Sequence, residues 1–117
     1  MASISKILLS GSTNGRFIQV TGTGTGSADT IHTAVGGSDN LDEVHLFATN
    51  YHTGDVTVTI EYGGTGASNE VSFTLPPNVG LIELVPSFLL QNSLVIKAYA
   101  DVTSVVNVGG FVNRITI

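Results

Sequence analysis

The 117-residue chain sets four Lys and Arg against nine Asp and Glu, for a net charge of −5, and contains no cysteine. At this length one domain spanning residues 1–117 is expected, with a core large enough to hold without staples. Disulfides and thiolate metal sites are excluded, and the acidic balance argues against nonspecific binding to DNA or to an anionic membrane.

Charged residues are only 11% of the chain and apolar ones 42%. This low-charge, Gly- and Thr-rich composition reads as all-β. The start Met1-Ala2-Ser3-Ile4-Ser5-Lys6 lacks the basic and long apolar segments of a secretory leader. No apolar run reaches the roughly 18 residues of a membrane span. Synthesis in a cytoplasm is the expectation.

Residues 1–10 read as an edge strand or docking arm, apolar from Ile4 to Leu9, ending in the turn Ser10-Gly11-Ser12-Thr13-Asn14-Gly15. Asn-Gly marks that turn because both residues tolerate positive φ. Residues 16–21 alternate as a strand, and the glycine-rich 22–27 reads as a mobile loop. Residues 30–35 form a short strand. The most strongly patterned stretch follows. Val44, Leu46 and Ala48 alternate with His45, Phe47 and Thr49; after Asn50-Tyr51-His52-Thr53-Gly54, Val56, Val58, Ile60 and Tyr62 alternate with Thr57, Thr59 and Glu61. One face buried and one wet is the meaning of such a period. With residues 70–75 these runs are expected to form a three-stranded antiparallel meander.

Pro76-Pro77 stops that run. Residues 81–85 read as a strand, 86–92 as a single helical turn with Pro86 at its start, and 93–100 as another strand. A final strand spans residues 105–115, with Gly109-Gly110 marking a bulge or a close backbone approach. Eight to nine short strands at even spacing predict an antiparallel β-sandwich or a jelly-roll-like small barrel.

The candidates for chemistry are weak. Gly22-Thr23-Gly24-Thr25-Gly26 has neither the spacing of a dinucleotide loop nor the Gly-Lys-Ser/Thr of a P-loop, and a strand follows it. His32, His45 and His52 lack ligand spacing to one another and read as solvated or interface histidines. No serine sits in a nucleophile turn. Asp42 and Glu43 are adjacent and point to opposite faces of a strand; Glu61 and Glu83 could face each other but read as solvated. No catalytic residue, cofactor or metal is expected. A surface glycan could be held through Tyr51, Tyr62 or Tyr99, although the absence of tryptophan weakens a stacking platform. All four basic residues, Lys6, Arg16, Lys97 and Arg114, lie near the two ends. If the first and last strands are neighbours, one side collects most of the positive charge.

The segments "LLSGSTNGRFIQV", "TIHTA", "PPNVGLIELVPSFLLQNSLVIKAYA" and "VNVGGFVNRI" resemble small virion structural proteins of tailed bacteriophages, over residues 8–115. Phe17 and Gly109-Gly110 depart from that likeness. The resemblance implies a non-enzymatic protein on the outer surface of the capsid, a decoration or cement protein. Its partners would be the major capsid protein and further copies of itself, as a dimer or trimer, with no nucleic acid or membrane involved. Lys6, Arg16, Phe111 and Arg114 are the expected contact residues for capsid or subunit. A tail or head-tail adaptor component, or a carbohydrate-binding sandwich, is the alternative.

Overall fold

The computed structural model describes residues 2–117. In chain order its strands are β1 (Ser3–Leu8), β2 (Ile18–Val20), β3 (Asp29–Thr33), β4 (Leu41–Asn50), β5 (Val56–Tyr62), β6 (Glu70–Leu75), β7 (Ile82–Leu90), β8 (Val95–Ala100) and β9 (Val106–Thr116). They form two sheets. One has five strands, ordered β1-β9-β4-β7 with β2 also on β9, and the other has four, ordered β3-β8-β5-β6. Every pairing is antiparallel. The fold is the expected all-β sandwich.

The core lies between the sheets and is built by alternation. Val44, Leu46 and Ala48 of β4 and Val106, Val108 and Val112 of β9 are fully buried from one side; Val56, Val58 and Ile60 of β5 and Ile96, Ala98 and Ala100 of β8 are fully buried from the other. Each such valine, leucine or isoleucine contributes about 1.5–3 kcal/mol by leaving water. The branched side chains also suit a pleated surface.

Four expectations are corrected. β4 and β5 are not hairpin neighbours: β4 pairs with β9 and β7, whereas β5 pairs with β6 and β8 across the core. Residues 51–55 carry the chain from one layer to the other, since five extended residues reach about 17 Å and sheets stack about 10 Å apart. The buried Asn50 holds this corner. Its Nδ2 donates to the carbonyls of Gly54 at 2.9 Å and Leu75 at 2.8 Å, and its Oδ1 accepts from the His52 amide at 2.8 Å.

The stretch 86–92 is not a helical turn, because β7 runs on to Leu90. Pro86 sits opposite His45, where the register of the β4–β7 pair slips by one residue. The extra residue is Ser87, at φ 66. On an edge strand at a bulge, proline's missing N–H removes no ladder bond.

The outer face of β5 is not all wet. Glu61 is 1% exposed and Thr59 6%. Thr59 Oγ1 meets Ser72 Oγ at 2.8 Å, and the Thr25 hydroxyl reaches over from residues 22–27 to donate to Glu61 Oε2. That glycine-rich loop is held at its base. The Asp29 carboxylate accepts from the amides of Thr21 and Gly22 at 2.6 and 2.9 Å and from the Thr21 hydroxyl at 2.8 Å. A short 3-10 turn at Thr25–Ser27 shapes its tip.

Finally, Glu61 and Glu83 lie in different sheets and do not face each other.

Gly109 and Gly110 resolve the bulge-or-approach alternative. The β4–β9 register runs through both without a shift, so the pair marks close approach. A Cβ on Gly110, at φ 152, would stand 2.0 Å from the His45 carbonyl oxygen, and one on Gly109 would meet the Phe17 ring at 2.8 Å.

Candidate functional site

The five-stranded sheet presents an outer face assembled by register. On β4 it carries Leu41, Glu43, His45, Phe47 and Thr49, opposite Ile115, Asn113, Phe111, Gly109 and Asn107 of β9. β1 adds Ile4, Lys6 and Leu8 in the same rows. Phe17, in the chain between β1 and β2, lays its ring over Gly109 and fills the gap where the two short strands share one edge of β9. β7 adds Leu89 opposite Glu43.

Large apolar side chains stand open to solvent here: Ile4 at 70%, Leu8 at 57%, Phe17 at 55% and Leu89 at 52% exposure. At the centre is a stack. The His45 and Phe111 rings lie 4.4 Å apart and 11° from parallel, and the Lys6 ammonium lies 5.0 Å from the Phe111 centroid on the neighbouring strand. Such a cation–π contact fixes the lysine stem along the sheet while leaving its charge near the surface. Beside the stack, Glu43 Oε1 accepts from Asn113 Nδ2 at 2.8 Å and pairs with His45 Nε2 at 3.1 Å. Those bonds, Asn113's first, hold the Glu43 carboxyl below its usual range.

The expected contact residues divide. Lys6 and Phe111 belong to this face, and Arg16 is exposed next to Phe17 at its margin. Arg114 does not belong to it. It is one residue out of phase, opposite Asp42 and Ser5 on the inner side of β9. Its Nε and Nη2 donate to the two oxygens of Asp42 at 2.8 and 2.9 Å.

Asp42 is fully buried and also accepts from the Val35 amide at 3.1 Å and from His32 Nε2 at 2.8 Å. Burial alone would raise its carboxyl, but the bonds from Arg114 and His32 outweigh burial and hold it below the usual range. The bond to Asp42 raises Arg114 in turn.

His32, expected to be solvated or at an interface, is fully buried in this network. Its Nδ1 accepts from the Ser10 amide at 3.0 Å, so Nε2 carries the proton that Asp42 accepts. Both ring nitrogens are spent, and the Ser10 hydroxyl is occupied by the Thr33 amide at 2.7 Å. Through the Ser10 amide, His32, Asp42 and Arg114 the network braces the segment after β1 and β3 against β4 and β9.

Tyr51 and Tyr62 do not form a platform, and Tyr99 stands opposite Thr59 on the outer face of the four-stranded sheet. Tyr51 is 81% exposed in the loop after β4, whereas Tyr62 ends β5 at its opposite limit and packs edge-on to Phe88, centroids 6.1 Å apart. Burial, aided by the Asp42 charge, pushes the Tyr62 phenol up to about 12. Among the described residues no group of three or more His, Asp or Glu could hold a metal ion, and no helix is long and apolar enough to cross a membrane. No known protein family, characterised protein or solved structure matches this chain.

Leu41, Phe47, Phe17 and Leu89 were not among the expected contacts. The alternation of β4 already put Phe47 outside. Phe17 and Leu89 needed the pairing of β9 and the continuation of β7 through its bulge to Leu90, which a sequence does not print.

Proposed function

We propose that this chain is a non-enzymatic virion structural protein that docks the outer face of its five-stranded sheet on neighbouring capsid subunits and clamps them together. The observation that carries this reading is the row of exposed Ile4, Leu8, Phe17 and Leu89 around the Lys6–Phe111–His45 stack. Contiguous exposed apolar surface rimmed by polar groups is the mark of a binding face. Its strands are the ten-residue β4 and the eleven-residue β9, so the face is presented without ordering cost. The resemblance of the sequence to small virion proteins of tailed bacteriophages supports a capsid as the partner, and a copy of the chain at each repeat of a lattice lets weak single contacts sum.

Quantitative mass spectrometry of the purified particle, scaled to the major capsid protein, tests this. A simple fraction of the capsid copy number is expected. A handful of copies would move the chain to the tail or to the head-tail adaptor, and absence from the particle would end the virion reading.

A further inference from the structure

On the opposite side of the sandwich, the outer face of the four-stranded sheet holds a cleft of about 270 Å³ lined by Glu61, the Gly63-Gly64-Thr65 turn, Ser93, Leu94, Val95 and Lys97. Glu61 is 1% exposed, and its two oxygens differ. Oε2 takes the Thr25 hydroxyl; Oε1 is buried with no hydrogen-bond partner among the described residues. A buried carboxylate oxygen left without a donor is costly, and such exceptions in a folded chain point to a missing partner.

The surroundings say what that partner is. Lys97 is the cross-strand neighbour of Glu61, so the two charges cancel within the cleft and favour a neutral ligand over an ion. Ser93 and Thr65 add hydroxyls, and Leu94, 43% exposed, offers an apolar wall. The Gly63 amide is already spent on the Val95 carbonyl at 3.0 Å, so the side chains of the cleft, not this turn's backbone, supply its polar contacts. An acceptor oxygen, an ammonium donor, hydroxyls and a small apolar wall are together complementary to a ring that carries hydroxyls on its rim and C–H groups on its face. We propose that this cleft binds one sugar ring, with a ring hydroxyl donating to Glu61 Oε1, a second accepting from Lys97, and the C–H face against Leu94. Ligand clefts usually run from about 300 Å³ upward, so the site takes a single residue and not an oligosaccharide. The site shares no residue with the docking face and does not rest on it.

The test is amide-shift titration of the ¹⁵N-labelled chain with D-glucose, D-galactose, D-mannose and N-acetyl-D-glucosamine separately, with glycine as a zwitterionic control. At least one sugar is expected to give saturable shifts at Gly63, Gly64, Thr65 and Lys97, and Glu61→Gln should weaken that sugar about tenfold, the usual loss when a charged acceptor is made neutral. Should Glu61→Gln lose its dispersed spectrum, Lys97→Met carries the same expectation. No saturable shift with any sugar, unchanged affinity in the folded variant, or shifts with glycine alone would overturn the proposal.

Discussion

At Asp42 a single buried carboxylate ties four segments together: β3 through His32, the turn after it through the Val35 amide, its own strand β4, and β9 through Arg114. Its value lies in completeness, because removing one partner of a buried pair leaves a charge without compensation. Arg114→Met should therefore destabilise the protein by about 3 kcal/mol, read from urea unfolding, whereas Arg16→Glu, at an exposed side chain, should change stability by less than about 0.5 kcal/mol. The pH dependence follows from direction. Asp42 is held below its unfolded value, and so is Asp29, where the bonds from Gly22 and Thr21 outweigh burial. Their contribution is complete above the unfolded carboxyl value of about 4 and is lost as pH falls through the lower folded values. The urea midpoint should be level from about pH 5 to 7 and fall steadily below about pH 4, and the fall should be shallower in Asp29→Asn.

Among the strands, β9 is the keystone, pairing with β1, β2 and β4. Its two glycines are required for different reasons. At Gly110 the obstacle is backbone, the His45 carbonyl, and the φ of 152 disfavours any side chain. Gly110→Ala should cost more than about 3 kcal/mol or prevent folding, as judged by soluble yield and melting. At Gly109 the obstacle is the Phe17 ring, which can swing aside. Gly109→Ala should fold, melt slightly lower, and expose Phe17 to faster dye binding.

The elements also show what a sequence prints. Alternation printed the inner faces of β4 and β5, since Val44, Leu46 and Ala48, and then Val56, Val58 and Ile60, recur at period 2 and are all fully buried. Alternation does not say which layer a strand joins. That depends on whether a five-residue link turns back or crosses over, and here the link crosses over with the Asn50 side chain holding the corner. Nor does it reveal that Pro86 can sit inside a strand, because the edge position and the bulge that permit it are properties of the pairing.

Across the whole molecule, the two sheets present unlike outer surfaces: one apolar and aromatic, the other holding the Glu61–Lys97 cleft. On the proposed reading, polarity at the first decides docking. Phe17→Asp and Leu8→Asp, both on exposed side chains, should leave the melting temperature within a few degrees and lower capsid occupancy at least tenfold, measured by particle mass spectrometry; unchanged occupancy would remove this face from contact. Of the four contact residues expected from sequence, Lys6, Phe111 and Arg16 lie on or beside the face. Arg114 is turned inward because one residue of phase reverses a strand's side chain.

The placement of β9 also governs how the chain is made. Ser3 pairs with Thr116 and Leu8 with Phe111, so β1 has no partner until β9, about a hundred residues later, has been made. β2 waits for the same strand, and β4 lacks one of its two neighbours until then. The four-stranded sheet, by contrast, is complete once β8 emerges. Synthesis thus passes through a stage in which the four-stranded sheet has formed and one hydrogen-bonding edge of β4 is still unpaired. The final assembly step is the insertion of β9 between β1 and β4.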